Sequence, residues 1–220
     1  MQRKNNPEKT REKILLVASE LFLEKGYDKT SMQDIVNALG MSKGAVFHHF
    51  SSKDEIFEMV MTKLAIEQMN VLTNMLSNEL QGYTAREKLI RLIDASLAES
   101  EDKVAKMLDS RIEDPKIVMH LMKFNMNYSA PLVARIMKEG AEDGTIHTAY
   151  PDECAQVFLL LVNTWCNPTI FECDIPTYRK RLEYMQFIMK ALGADILSTE
   201  LIEQDIKSTE NLYEVNDDKN

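Results

Sequence analysis

No uninterrupted apolar run in this 220-residue chain approaches the roughly 20 residues needed to span a bilayer. The opening MQRKNNPEKTREK is charged and lacks the apolar core of a secretory signal, so a cytoplasmic protein with no membrane partner is expected. Cysteine is scarce: Cys154, Cys166 and Cys173 are the only three. An odd, sparse set suits a reducing compartment better than a disulfide framework. The spacing C-x11-C-x6-C is not a zinc pattern. Cys166 and Cys173 flank an expected turn, and thiol oxidation there is a minor alternative. A Gly-rich phosphate loop is missing, and no local signature suggests a Ser-His-Asp arrangement. The expectation is therefore no metal, no cofactor and no enzymatic activity. Strand signals longer than a few residues, internal repeats and long linkers are also absent.

What is present reads as helix throughout, an all-α chain. Hydrophobic residues at 45% and charged residues at 28% describe a soluble globular protein. The length allows a substantial core in one or two domains. The net charge of −9 is unevenly spread. Residues 1–53 hold nine Lys and Arg against six Asp and Glu, a balance of +3; the remainder holds 17 against 29. A modestly basic head on an acidic body can meet phosphates with the head, while the body repels DNA and disfavours other orientations.

Residues 30–53, TSMQDIVNALGMSKGAVFHHFSSK, organise the head. Thr30 and Ser31 are N-cap candidates, and Asp34 is placed to face the positive end of the helix that follows. Met32, Ile35, Val36 and Leu39 fall at i, i+3, i+4 and i+7 and form one stripe. Gly40 supplies a residue for the turn. Ser42 caps a second helix, which Val46 and Phe50 can anchor to the first. Lys43, Gly44, Phe47 and His48 are left facing outward. Small outward residues at the start of this helix allow close approach to a DNA groove, the helix-turn-helix geometry. His48 and His49 are poor joint metal ligands, because adjacent helical residues point about 100° apart. His49 is expected to pack and His48 to be exposed.

The set Ile14, Leu15, Ala18, Leu21, Phe22, Gly26, Tyr27, Thr30, Ile35, Leu39, Gly40, Ser42, Lys43, Gly44, His49, Phe50 and Lys53 resembles the N-terminal domain of TetR-family transcriptional repressors, over roughly residues 9–60. The resemblance implies a three-helix head that binds DNA. Gln33, Lys43, Gly44, Ala45 and His48 are the expected base or groove contacts. Thr30, Ser42, Phe47 and Lys53 are the expected backbone contacts or positioning residues. Two positions depart from the family pattern. Phe47 stands where a tyrosine is usual and loses a hydroxyl, and Ala45 stands where threonine or serine is frequent. Together these lower the expected affinity by about 1–2 kcal/mol, at ~1 kcal/mol per lost hydrogen bond. Ala45 retains apolar contact with a thymine methyl as an option.

In chain order, residues 1–8 form a polar arm, either loose or reaching a phosphate or the minor groove. A first helix spans 8–25 and ends at Gly26. Tyr27 packs under the motif, with a phosphate contact as the alternative. Ser52 caps a long helix to about residue 80, which in the resembled family links head to body. Further helices are expected at 84–99, 103–112, from 114 with a restart or kink at Pro131 to about 140–144, at 150–165, 176–192 and 196–206. The domains are then 1–52, a helix-turn-helix DNA-binding domain, 53–207, a helical regulatory and dimerisation domain, and 208–220, an acidic disordered tail.

One head reads few base pairs, so two heads on a twofold frame are expected, about 34–36 Å apart on a palindromic or near-palindromic operator in double-stranded DNA. In the resembled family the last two large helices pair with their symmetry mates. The corresponding homodimer candidates are Ala155, Phe158, Leu159, Val162, Tyr184, Phe187 and Ile188, each equally readable as internal core. The family's body also holds a small-molecule pocket. Met107, Arg111, Met119, Met122, Met126, Tyr128 and Trp165 are the ligand candidates, with His120 and Phe124 on the same helices. The chain has fourteen methionines, whose adaptability suits varied apolar ligands; ordinary core packing is the alternative. Arg111 is the candidate for an anionic or carbonyl group, or else pairs with Asp109 or Glu113. The expected function is a DNA-binding transcriptional regulator, a repressor released by a small hydrophobic or amphipathic effector. The competing reading is a small-molecule sensor whose helix-turn-helix no longer reads DNA.

Overall fold

The computed structural model describes residues 7–100, 115–168 and 170–217. The described chain is all-helical, with no strand among these residues. The helices are α1 (Pro7–Lys25), α2 (Met32–Leu39), α3 (Lys43–Phe47), α4 (Lys53–Asn78), α5 (Ala85–Ser100), α6 (Pro115–Phe124), α7 (Ala130–Asp143), α8 (Pro151–Leu160), α9 (Ile175–Ala191) and α10 (Thr199–Asp217). Two compact units result. One holds the described residues up to Glu67 together with 115–117, and the other holds 68–100 and the described residues from Val118 onward. The expected helix over 103–112 lies outside the described residues.

The head has its own core. Ile14, Ala18 and Phe22 of α1, Ile35 of α2, Val46 of α3 and Ile56 and Phe57 of α4 are each fully buried. Phe22, Tyr27 and Phe57 form an aromatic cluster, with the Tyr27 and Phe57 ring centroids 4.7 Å apart at 68°. Edge-on packing of this kind adds to what the buried area alone contributes.

Local capping explains where the head's helices begin and end. Ser31 Oγ accepts from the Asp34 N–H at 3.1 Å, and Asp34 accepts from the Ser31 N–H at 2.8 Å. That reciprocal pair satisfies two backbone donors at once. Gly40 closes α2 at φ +60° and donates to the Asn37 and Val36 carbonyls, a left-handed cap that costs other residues strain. Ser42 Oγ accepts from the Ala45 N–H, and Ser52 Oγ from the Glu55 N–H.

The body's core gathers α5, α7, α8, α9 and α10 around Leu89, Ile136, Met137, Phe158, Met185, Met189 and Ile206. Pro131 lies in the first turn of α7, at the restart the sequence suggests, but the chain is not broken ahead of it. Asn125–Ser129 instead forms one widened turn, with the Ala130 N–H bonded to the Asn125 carbonyl five residues back. The widening sits where the proline ring would otherwise meet a carbonyl four residues earlier. A second widened turn, Leu161–Trp165, ends α8. The last helix starts later than expected and continues to Asp217, so helix covers most of the stretch read as a tail.

Candidate nucleic-acid interface

α2 and α3 both carry outward-facing residues. Lys43, Gly44, Phe47 and His48 are exposed, Ala45 and His49 are half-buried, and Gln33 is exposed on α2. Lys43 Nζ lies 5.5 Å from the Phe47 ring centroid, so a cation and an apolar ring share this face. Gln33 Nε2 donates to Asn37 Oδ1 at 2.8 Å, which fixes the amide along α2. Arg11 braces the end of α3 from behind: its guanidinium stacks 4.4 Å from the Phe50 ring centroid and reaches the His49 carbonyl at 3.5 Å.

Of the two roles expected for Thr30, backbone contact or positioning, the geometry fits positioning. It is 1% exposed, and its hydroxyl donates to the Gly26 carbonyl at 2.8 Å and the Leu21 carbonyl at 3.3 Å. A side chain committed to the end of α1 cannot also meet a phosphate, so Thr30 is a structural residue. The Tyr27 hydroxyl is likewise committed, donating to Asp54 Oδ1. Lys53 Nζ donates to the Tyr27 carbonyl at 2.8 Å and lies 3.9 Å over the Tyr27 ring. It pins the start of α4 while remaining partly open to solvent. Ser42 is exposed and carries the α3 cap. The Ser31 hydroxyl and N–H hold the Asp34 carboxyl below its ordinary range, and the Ser51 N–H and hydroxyl do the same for Glu55.

Residues 14–60 match the profile of bacterial regulatory proteins of the tetR family. This segment is a tetR-family domain. The HTH-type transcriptional repressor Rv1474c of Mycobacterium tuberculosis is 49% identical over 47 residues, which cover 21% of this chain and 25% of that protein. Against the first relatives the chain thus matches only the length of a head. The HTH-type transcriptional repressor KstR2 of Rhodococcus jostii aligns over 151 residues at 23% identity, covering 68% of this chain and 74% of that one. The crystal structure of RolR in complex with resorcinol superposes with a TM-score of 0.62 at 17% identity, over 92% of this chain and 96% of that one. The described chain therefore shares the fold of tetR-family regulators.

Behind the tetR-family head, the body sorts the dimer candidates into two groups. Ala155 and Phe158 are 0% and 3% exposed and belong to the protomer's own core, the alternative the sequence left open for each of them. Cys154, Ala155 and Phe158 form the inward side of α8. Leu159, Val162 and Ile188 are half-buried against the same core. Tyr184 and Phe187 are open, at 54% and 67% exposure, and their rings stack at 6.2 Å. Trp165 meets Tyr184 edge-on at 6.0 Å.

The described ligand candidates differ in exposure. Met107 and Arg111 lie outside the described residues. Met119 and Tyr128 are exposed, and Met122, Met126 and Trp165 are half-buried. A cavity of about 450 Å³ is lined by Arg86, Gln186, Phe187, Lys190, Asp195 and Ser198. A second, of about 320 Å³, takes in Ile90, Arg91, Leu201 and Gln204. Neither contains any of the described ligand candidates, and sequence periodicity gave no signal for either. Cys154 and Cys166 are buried and Cys173 partly so, and burial pushes the Cys166 thiol up to about 12. No described helix is long and apolar enough to cross a membrane.

Proposed function

We propose that this protein is a dimeric transcriptional regulator that binds operator DNA through α2 and α3 and is released from it by a small hydrophobic or amphipathic effector. The observation that carries this reading is the outward face of α3. Lys43, Gly44, Phe47 and His48 are exposed on a helix capped by Ser42 and braced by Val46 and Arg11, so a rigid, partly cationic ridge faces solvent. Such a ridge suits a major groove. Lys43 and His48 supply donors for base edges, and Lys53 and Ser42 stand beside the backbone path. The repressor names of the curated relatives support the direction of control, and RolR's complex with resorcinol supports a small-molecule effector.

The open Tyr184–Phe187 surface on α9 favours a homodimer, because a second copy would cover two large rings that a monomer leaves in water. A cytoplasmic location and the absence of any catalytic step belong to the same reading.

Fluorescence anisotropy tests it, with purified protein on the DNA flanking its own gene, random duplex as control, and two salt concentrations. The expected result is selective, salt-steep binding at two protomers, or a multiple of two, per site. Absence of selection even from a random DNA pool would refute the reading and leave the small-molecule sensor. With the operator in hand, the same signal screens for effectors that release it.

A further inference from the structure

The outward face of α3 lacks the carboxylates and amides that pair preferentially with cytosine and adenine. From Met41 to Phe50 the chain is MSKGAVFHHF, with no Asp, Glu, Asn or Gln. This segment therefore has no carboxylate to accept from cytosine N4 and no amide to pair with adenine N6 and N7. It offers a cation, an imidazole, a ring and a methyl group. The ring is notable because Phe47 is 39% exposed on a helix whose inward apolar anchor, Val46, is already fully buried. Phe47 thus keeps part of its ring open to an external group.

Gly44 gives an independent pointer to a close partner. Its backbone is not in the left-handed region, and a Cβ built there would meet nothing within 4 Å. No neighbour within the protein demands glycine at that position, and glycine weakens a five-residue helix. It leaves a notch beside Phe47 and Ala45 that a flat or narrow external group can enter.

Resting on the DNA-binding reading above, we infer that this head selects its operator through thymine 5-methyl groups, packed against the Phe47 ring and the Ala45 methyl. Among the bases only thymine projects a methyl group into the major groove. Apolar contact with it separates thymine from cytosine without any hydrogen bond. A phenyl ring suits that role better than a phenol, which would bring a hydroxyl needing a partner into the dehydrated contact. Lys43, held over the same ring, is placed to read guanine O6 and N7 at a neighbouring step.

The test uses the intact protein. Its preferred site is first selected from a random duplex pool, and each thymine of that site is then replaced singly by uracil, which lacks only the methyl group. One or two thymines per half-site should each show about fourfold weaker binding, the ratio that burial of one methyl group gives. In Phe47→Ala the penalty at one of these positions should vanish, and in Ala45→Gly the penalty at the other. Phe47→Leu should retain it, and a helical circular-dichroism spectrum confirms that each variant folds. Selective binding without any uracil penalty overturns the thymine assignment and leaves the DNA-binding reading intact. Penalties that persist in both truncated variants overturn the assignment to Phe47 and Ala45. A pool that yields no preferred sequence overturns the reading beneath both.

Discussion

Replacing Gly44 by alanine should separate stability from function. Alanine in place of a helical glycine stabilises by roughly 0.5–1 kcal/mol, because the unfolded chain loses more freedom with glycine. At Gly44 no steric term opposes that gain, since the added Cβ meets nothing within 4 Å and the backbone is ordinary. The site lies in the first turn of α3, which puts the expected gain at the lower end, about 0.5 kcal/mol. For the operator the sign reverses. A methyl group on the outward face holds the backbone off the groove floor and loosens the neighbouring Lys43 contact. Loss of one good base contact costs about 1–3 kcal/mol, roughly five- to 150-fold in affinity. Affinity for random duplex should hardly change, because phosphate contacts tolerate such a displacement. Urea denaturation and anisotropy on the same preparation measure both effects. Raised stability with undiminished operator affinity would refute close approach at Gly44. Lowered stability would show that the notch is filled from within the protein.

Thr30→Val keeps shape and removes the donor to Gly26 and Leu21, so stability should fall by about 1–2 kcal/mol while the folded protein keeps its DNA affinity; a tenfold affinity loss at unchanged stability would return Thr30 to the interface. Lys53→Met should weaken operator and random DNA alike and reduce the salt slope by about one, and a loss confined to the operator contradicts its place beside the backbone. Ser31→Ala should cost about 1 kcal/mol near neutral pH in denaturant titrations. The folded Asp34 carboxyl titrates below its ordinary 3.8, so its stabilisation is complete above that value and is lost as pH falls through the folded value. The gap between Ser31→Ala and the parent should therefore narrow on acidification, and a widening gap would be the wrong sign. Phe187→Asp, at a side chain 67% exposed, should leave helical content intact and yield monomers in sedimentation velocity, whereas a persistent dimer places the interface elsewhere.

The head was legible because its signals are local. A capping box, a glycine turn and a second serine cap each act within four residues, and the stripe Ile35, Val36 and Leu39 faces inward as its spacing requires. Which of its two expected roles Thr30 takes was hidden for the opposite reason. It stands beside a good cap, Ser31, and a surface hydroxyl there is chemically reasonable. Its true partners, Gly26 and Leu21, are set by how the chain returns past the end of α1. No pattern within the second helix carries that information. The Tyr27–Asp54 and Lys53–Tyr27 bonds, across 27 and 26 residues, were hidden in the same way.

In the body, periodicity located helices but not what their faces meet. α9 is apolar on more than one side: Tyr178, Leu182, Met185 and Met189 face the core, while Tyr184 and Phe187 face out. A helix needs only one such stripe to join its own protomer. The second is therefore the informative one, and it becomes visible only once the structure has assigned the first. On α8 the outward apolar side is smaller, with Val157 its one exposed large apolar residue, at 40%. Ala155 and Phe158 share the single inward stripe with Cys154, so nothing remains on that side for a partner. The dimer candidates from α9 and α8 were equivalent by spacing alone. Burial separates them, and it moves the interface argument onto the open rings of α9.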